Sequence, residues 1–329
     1  MRCPSQRVGV SVPTVQADSR GPRWRSARSL GLLAMCGAIL FFSLGSTIVK
    51  KAGIPGPTMS FYRMLLTTVF WVAILHATEH RWISRIELRK ALVPGIVFGL
   101  NITLFFTGVT KTSVANAEFI GALTPVILVP AGALLFKERI NTRALWFGFV
   151  SFAGLMLVLF NVPANGVASW SGNLIIVAAM FSWATYLLTS RRLRAEMSVQ
   201  AILCAVMMIA SVTVFPLALF SGNLDELTVQ SLPYIALLAV MTGTAAHGFI
   251  VYAQRTVPVG TISIMQVAQP ALAVVWAYLI LDQSIRSIQV LGMVLVLVGL
   301  AAVVTLSRRT PAVDAAGANP PTPALLPES

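Results

Sequence analysis

The chain has 329 residues, 57% of them hydrophobic and 11% charged, a balance that excludes an ordinary soluble domain. Its net charge of +13 would suit nucleic acid if the basic residues shared one face, but they sit in the gaps between apolar runs. That placement marks membrane topology, so the expected surroundings are a lipid bilayer and not a nucleic acid.

In chain order, residues 1–29 are polar and arginine-rich and are expected to be disordered. A cleaved signal peptide would have a shorter apolar core followed by an A-x-A-like site, whereas this run continues to Lys50-Lys51. Ten apolar runs of about 20 residues then follow, each long enough to cross a bilayer as a helix. They lie at 30–49, 57–76, 91–110, 113–135, 142–160, 170–190, 199–220, 231–252, 259–281 and 286–306. Short strands of alternating polarity, the mark of a β-barrel, are not seen. The tail 307–329, rich in Pro and Ala, is expected to be disordered. With the N-terminus placed in the cytoplasm, 19 basic residues fall inside and four outside (Lys50, Lys51, Lys111 and Arg286), with Arg63 left within a span. This bias puts both termini in the cytoplasm of a multi-pass plasma (inner) membrane protein.

The uncharged loop 161–169 divides the spans into two sets of five, residues 30–160 and 170–306. Val114 to Val158 and Val259 to Val303 read as copies at an offset of 145. Pro125/Pro270, Leu134/Leu279, Ile140/Ile285, Gly154/Gly299, Leu155/Leu300 and Val158/Val303 coincide. An odd number of spans makes a second copy enter from the opposite side, so the fold class is all-α membrane protein with two inverted five-helix repeats. Pro125 and Pro270 fall near the middle of their spans, where a proline frees a backbone carbonyl and kinks a helix. Paired interruptions of this kind point to a site between the halves.

The first half carries Leu44-Gly45-Ser46, Phe61-Tyr62-Arg63, Ala117-Glu118, Thr124-Pro125, Phe136-Lys137-Glu138-Arg139, Gly148 and Gly154. The second carries Ser182-Trp183-Ala184-Thr185-Tyr186, Gln269-Pro270, Gly292 and Gly299. In order, topology and duplication these resemble the ten-helix, EamA-type members of the drug/metabolite transporter superfamily. The second half departs from the family pattern at Asp282-Gln283, where a Gly-Glu pair is common. The resemblance implies transport of a small-molecule solute by alternating access, and in many members export of amino acids or related metabolites.

Glu118 and Arg63 are the acid and the base clearly inside spans, histidines apart, at equal distance from the same side. An ion pair between them is the structural reading, and contact with solute or a coupling proton is the functional one. Asn101, Gln266 and Gln269 place polar groups near mid-span, where each needs a helix, water or ligand as partner. Glu118, Ala122 and Pro125 share a helical face, as do Ser263, Gln266 and Pro270. Trp183 and Tyr186 could line the same cavity or pack between helices, and His247 could carry protons or bond a neighbouring helix. Gly95-x-x-x-Gly99 would let helices approach closely. A mixed polar lining with one paired acid points away from a strongly charged cargo.

No cofactor is expected. Cys3, Cys36 and Cys204 share no disulfide or metal spacing, and no G-x-x-x-x-G-K-[ST] loop occurs. An intramembrane metalloprotease would need H-E-x-x-H, which His76, His80 and His247 do not supply, so the chain is not expected to be an enzyme. A helical scaffold or channel is the other alternative, although neither requires paired mid-span prolines. Homodimerisation is compatible with the sequence.

Overall fold

The computed structural model describes residues 22–124, 126, 142–160, 168–190, 193, 196–222, 224–254 and 265–308. Helix α1 (Pro22–Ala52) begins inside the stretch expected to be disordered, so residues 22–29 are helical. Proline is favourable in a first helical turn, and the Arg and Ala residues that follow are good helix formers. Next come α2 (Gly56–Glu79), the short α3 (Arg85–Lys90), α4 (Leu92–Lys111) and α5 (Val114–Ala122). They are followed by α6 (Thr142–Phe160), α7 (Trp170–Ser190) and α8 (Val199–Phe220). The eighth apolar run is α9 (Leu232–Leu238), a π-helical stretch Ala239–Ala245 and α10 (Ala246–Gln254). Helices α11 (Gln269–Leu281) and α12 (Ser287–Arg308) complete the described residues, which contain no strand.

Seven helical segments in this set are long and apolar enough to cross a membrane, and Trp146–Phe160 and Gln269–Leu281 are shorter apolar helices. The chain is therefore a multi-pass membrane protein of all-helical architecture. Exposed Trp146, Phe149 and Phe152 on α6 and Val290, Leu291 and Val294 on α12 fit a surface solvated by hydrocarbon.

Several contacts between the spans before and after residues 161–169 pair off. Helix α1 packs on α10 and α11, while α7 packs on α4 and α5. Exchanging the two sets of spans converts the first group of contacts into the second. Three further pairs, α2 with α8, α5 with α11 and α6 with α12, map onto themselves.

The α6–α12 pair shows the register. A Cβ added at Gly154 would lie 2.7 Å from the Gly292 carbonyl oxygen, and one at Gly299 would lie 2.8 Å from that of Phe147. These contacts interchange at the 145-residue offset. Between them Ser151 Oγ donates to the Val296 carbonyl at 3.4 Å, a contact that maps onto itself. The two helices thus run antiparallel, with backbones too close to admit side chains at these glycines. Gly95 and Gly99 behave as expected: Cβ atoms there would meet Ile209 and the backbone of Ala210 on α8.

Candidate functional site

The kink expected at Pro270 takes a different form. Helix α5 starts at Ser113, whose side chain accepts from the Asn116 N–H at 3.1 Å, and ends at Ala122. Leu123 turns the chain, its N–H bonded to Ile120 O at 3.1 Å, immediately before Thr124 and Pro125. Pro125 itself, like Ser263, lies outside the described residues. In the second half a turn at Val267–Ala268 precedes α11, and Pro270 occupies the first turn of that helix. Pro270 therefore begins a helix and does not kink a continuous one, because its missing N–H is one that a first turn leaves unbonded anyway. The turn at Leu123 coincides with that at Ala268 when the offset of 145 is applied.

The two interrupted segments meet. Val114 packs on Ala273 and Ala277, and its N–H donates to Gln283 Oε1 at 3.2 Å. At the other end of the contact, Gln269 and Ser46 of α1 are the side chains whose dipoles act on the Glu118 carboxyl. Glu118 is 6% exposed. Ser46 Oγ nevertheless completes no hydrogen bond of normal geometry, and neither does Thr47 Oγ1 beside it. Gln269 and Gln266 are partly buried at the start of this break.

Arg63 does not join them. Its Nη2 donates to Thr242 Oγ1 at 3.1 Å, and the guanidinium lies 5.5 Å from the centre of the Phe106 ring. The expected Arg63–Glu118 ion pair is not formed. Equal depth along two helices fixed only a height, and rotation about the helix axes directs Arg63 to the π-helical stretch and Glu118 to α1 and α11. Arg63 Nε and Nη1 have no hydrogen-bond partner, nor has Thr67 Oγ1 one turn further along α2.

The π-helical stretch is what receives α2. Its widened turn offers Gly243 O to Trp71 Nε1 at 3.0 Å, and Thr242 Oγ1 itself donates to Leu238 O at 2.8 Å. Thr67 sits directly against Gly243, and Gly45 of α1 approaches the Thr242 methyl group. His247 Nδ1 lies 2.9 Å from Thr242 O and its ring meets Phe42 edge-on at 5.2 Å, so it bonds within its own segment. Thr242 and Gly243 were not singled out from the sequence; the polar and small Thr242-Gly243-Thr244 run inside an apolar span was the available signal.

The remaining candidates divide. Asn101 is 7% exposed and its Nδ2 donates to Ala179 O at 2.8 Å, joining α4 to α7. Trp183 and Tyr186 form an aromatic group with Phe98, with Tyr186 4.9 Å and Trp183 6.2 Å from its ring centre. Both features are helix packing in this state. The site brought together is thus Glu118, Gln269 and Ser46 on one side, and Arg63, Thr67 and Thr242 on the other, with α1 between them.

The EamA-like transporter family model matches this chain twice, over residues 29–160 and 170–305. Transporter YyaM of Bacillus subtilis, itself described as uncharacterized, is 26% identical over 250 residues, covering 72% of this chain and 81% of that protein. A "Probable amino-acid metabolite efflux pump" of Escherichia coli is 26% identical over 189 residues, covering 51% of this chain and 60% of that one. A solved structure described only as "Crystal structure of protein" shares the fold at a TM-score of 0.59 and 20% identity, covering 87% of this chain and 98% of the other. The chain belongs to the EamA-like transporter family, and its place is that of a small-solute transporter in a membrane.

Proposed function

We propose that this member of the EamA-like transporter family exports a small metabolite, an amino acid or a related compound, by alternating access. In this reading ten spans form two inverted five-helix halves in the plasma membrane, with both termini cytoplasmic. The solute sits between the halves beside Glu118, Gln266 and Gln269, near Pro125 and Pro270. Asn101, Trp183 and Tyr186 set the walls.

The observation that carries the reading is the packing of α5 on α11, the two helices that adjoin the breaks. Glu118, Ser46 and Gln269 bring polar groups together there. Interrupted helices at corresponding places in two halves supply unpaired backbone groups for a solute, and one half can then rock against the other around it. The exchange-symmetric packing and the double family match support two related halves. The amino-acid class is supported by the name of the Escherichia coli relative.

The test is flux. Proteoliposomes loaded with a mixture of amino acids and small organic acids, under an imposed proton gradient, are expected to lose particular components faster than protein-free vesicles. Equal loss of every component from both would refute transport of these solutes. Topology is checked separately: Asn165→Cys is expected to react with an impermeant reagent outside sealed cells, and Ser198→Cys to be protected.

A further inference from the structure

We propose that Arg63 is the receptor for a carboxylate group of the solute. This rests on the transport reading above and goes beyond it, in naming a chemical class and the residue that selects it.

Arg63 is 3% exposed, and a guanidinium has five N–H donors in a fixed plane. One of them reaches Thr242 Oγ1; Nε and Nη1 reach nothing. An arginine kept in place for structure alone would be expected to have a carboxylate or several carbonyls around it, since an unpaired buried charge is strongly destabilising. Glu118, the acid within a described span, instead faces Ser46 and Gln269. The Phe106 ring face offsets part of the charge, but it accepts no conventional hydrogen bond.

The free N–H groups of Arg63 suit an anion with two coplanar acceptors. A carboxylate bridging two of the free N–H groups would satisfy both the charge and the fork geometry. Its remaining lone pairs could take a hydroxyl donor, and Thr67 Oγ1, unpartnered one turn along α2 from Arg63, lies against the π-helical stretch that holds Thr242. A phosphate monoester has the same fork geometry, but carries nearly two charges. No second arginine or lysine accompanies Arg63 within the described spans away from their ends, which favours the monoanion. The expectation of an uncharged cargo assumed that Glu118 is paired, and the absence of the Arg63–Glu118 ion pair removes that premise.

The test uses the purified full chain and three probe mixtures: common α-amino acids with small mono- and dicarboxylic acids, the corresponding primary amides, and inorganic phosphate. The acid mixture is expected to raise the thermal unfolding midpoint of the wild-type chain, and the amides to leave it unchanged. Arg63→Gln should lose the shift, with apparent affinity falling roughly tenfold to hundredfold, and Arg63→Lys should retain part of it. Equal shifts from acids and amides, no shift from either, a larger shift from phosphate, or a wild-type response in Arg63→Gln would each overturn the proposal. Should Arg63→Gln fail to fold, the acid-against-amide comparison in the wild-type chain decides alone. Flux of the same mixtures separates the two readings: amides exported as fast as acids would leave transport standing without the carboxylate receptor, whereas acid binding without any flux would do the reverse.

Discussion

Two arginines on α2 and just beyond its end live in opposite surroundings. Arg81, in the turn after α2, donates to Glu79 at 2.8 Å and grips Glu87 at 2.9 Å through both Nη1 and Nη2. Glu87 also accepts from the Ser84 N–H, while the Ser84 side chain accepts from the Glu87 N–H, closing a capping box on α3. Ser198, which caps α8, donates to Glu79 at 2.5 Å, and Lys90 pairs with Glu196 at 2.5 Å. Glu79, Arg81, Glu87, Lys90 and Glu196 each have a partner in that corner, although water could have served them. Arg63 is 3% exposed, and its Nε and Nη1 have no hydrogen-bond partner. The ionic corner fastens the α2–α3 turn to the start of α8. The interior leaves its bonding capacity open, as expected where a ligand must come and go.

The contrast can be broken most directly by matched substitutions. Arg63→Gln is expected to reduce flux roughly tenfold to hundredfold while thermal stability holds or rises, because an unpaired buried charge is removed. Arg81→Gln should lower the unfolding midpoint and keep flux within about twofold, since exposed ion pairs contribute only ~0.2–1 kcal/mol each. Exchanged outcomes would show that Arg63 is the structural residue.

Next in size is the coupling between Arg63 and Glu118. With the two side chains unpaired, stability changes in Arg63→Gln and Glu118→Gln should add within about 0.5 kcal/mol in a double-mutant cycle. A larger coupling would show that they meet in a conformation other than this one.

Gln269→Ala is then expected to weaken transport several-fold with folding nearly intact, while Asn101→Ala should cost about 1 kcal/mol of stability through its lost bond to Ala179 and reduce flux less than Gln269→Ala does. Flux assays beside unfolding curves check both. A silent Gln269→Ala would move the solute away from the α5–α11 break.

The smallest effect is on pH. The hydrogen bonds from Arg81 hold the Glu87 carboxyl down at about 2, from an ordinary 4.5. A carboxyl lowered on folding contributes its full stabilisation above the unfolded value and loses it as pH falls towards the folded one. Unfolding followed from pH 5 down to about 2 should therefore show a loss of at most ~1 kcal/mol that Glu87→Gln removes, Arg81 being 39% exposed.

What the sequence made legible follows from how strongly each feature is constrained. The runs 142–160, 170–190 and 199–220 match α6, α7 and α8 residue for residue, because apolar length is imposed by the bilayer. Gly95, Gly99, Gly154 and Gly299 were readable because close helix approach admits few other residues. Pro270 was misread as a kink, since a proline within an apolar run does not reveal whether the helix has already stopped before it. The Arg63–Glu118 pair failed for a related reason: rise along an axis can be counted from sequence, but rotation about it depends on partners contributed by distant spans. The π-helical stretch had no local signature beyond three small or polar residues.

The contact between Gly154 and Gly292 also bears on how the protein is made. Helix α6 leaves the ribosome long before its partner α12, the last helix among the described residues. Throughout the synthesis of α7 to α11 its glycine-lined face must remain against lipid or an insertion factor. A nascent chain halted before residue 287 would lack α12 and leave the glycine face of α6 without its partner, which makes that bare face a natural mark for membrane quality control to read.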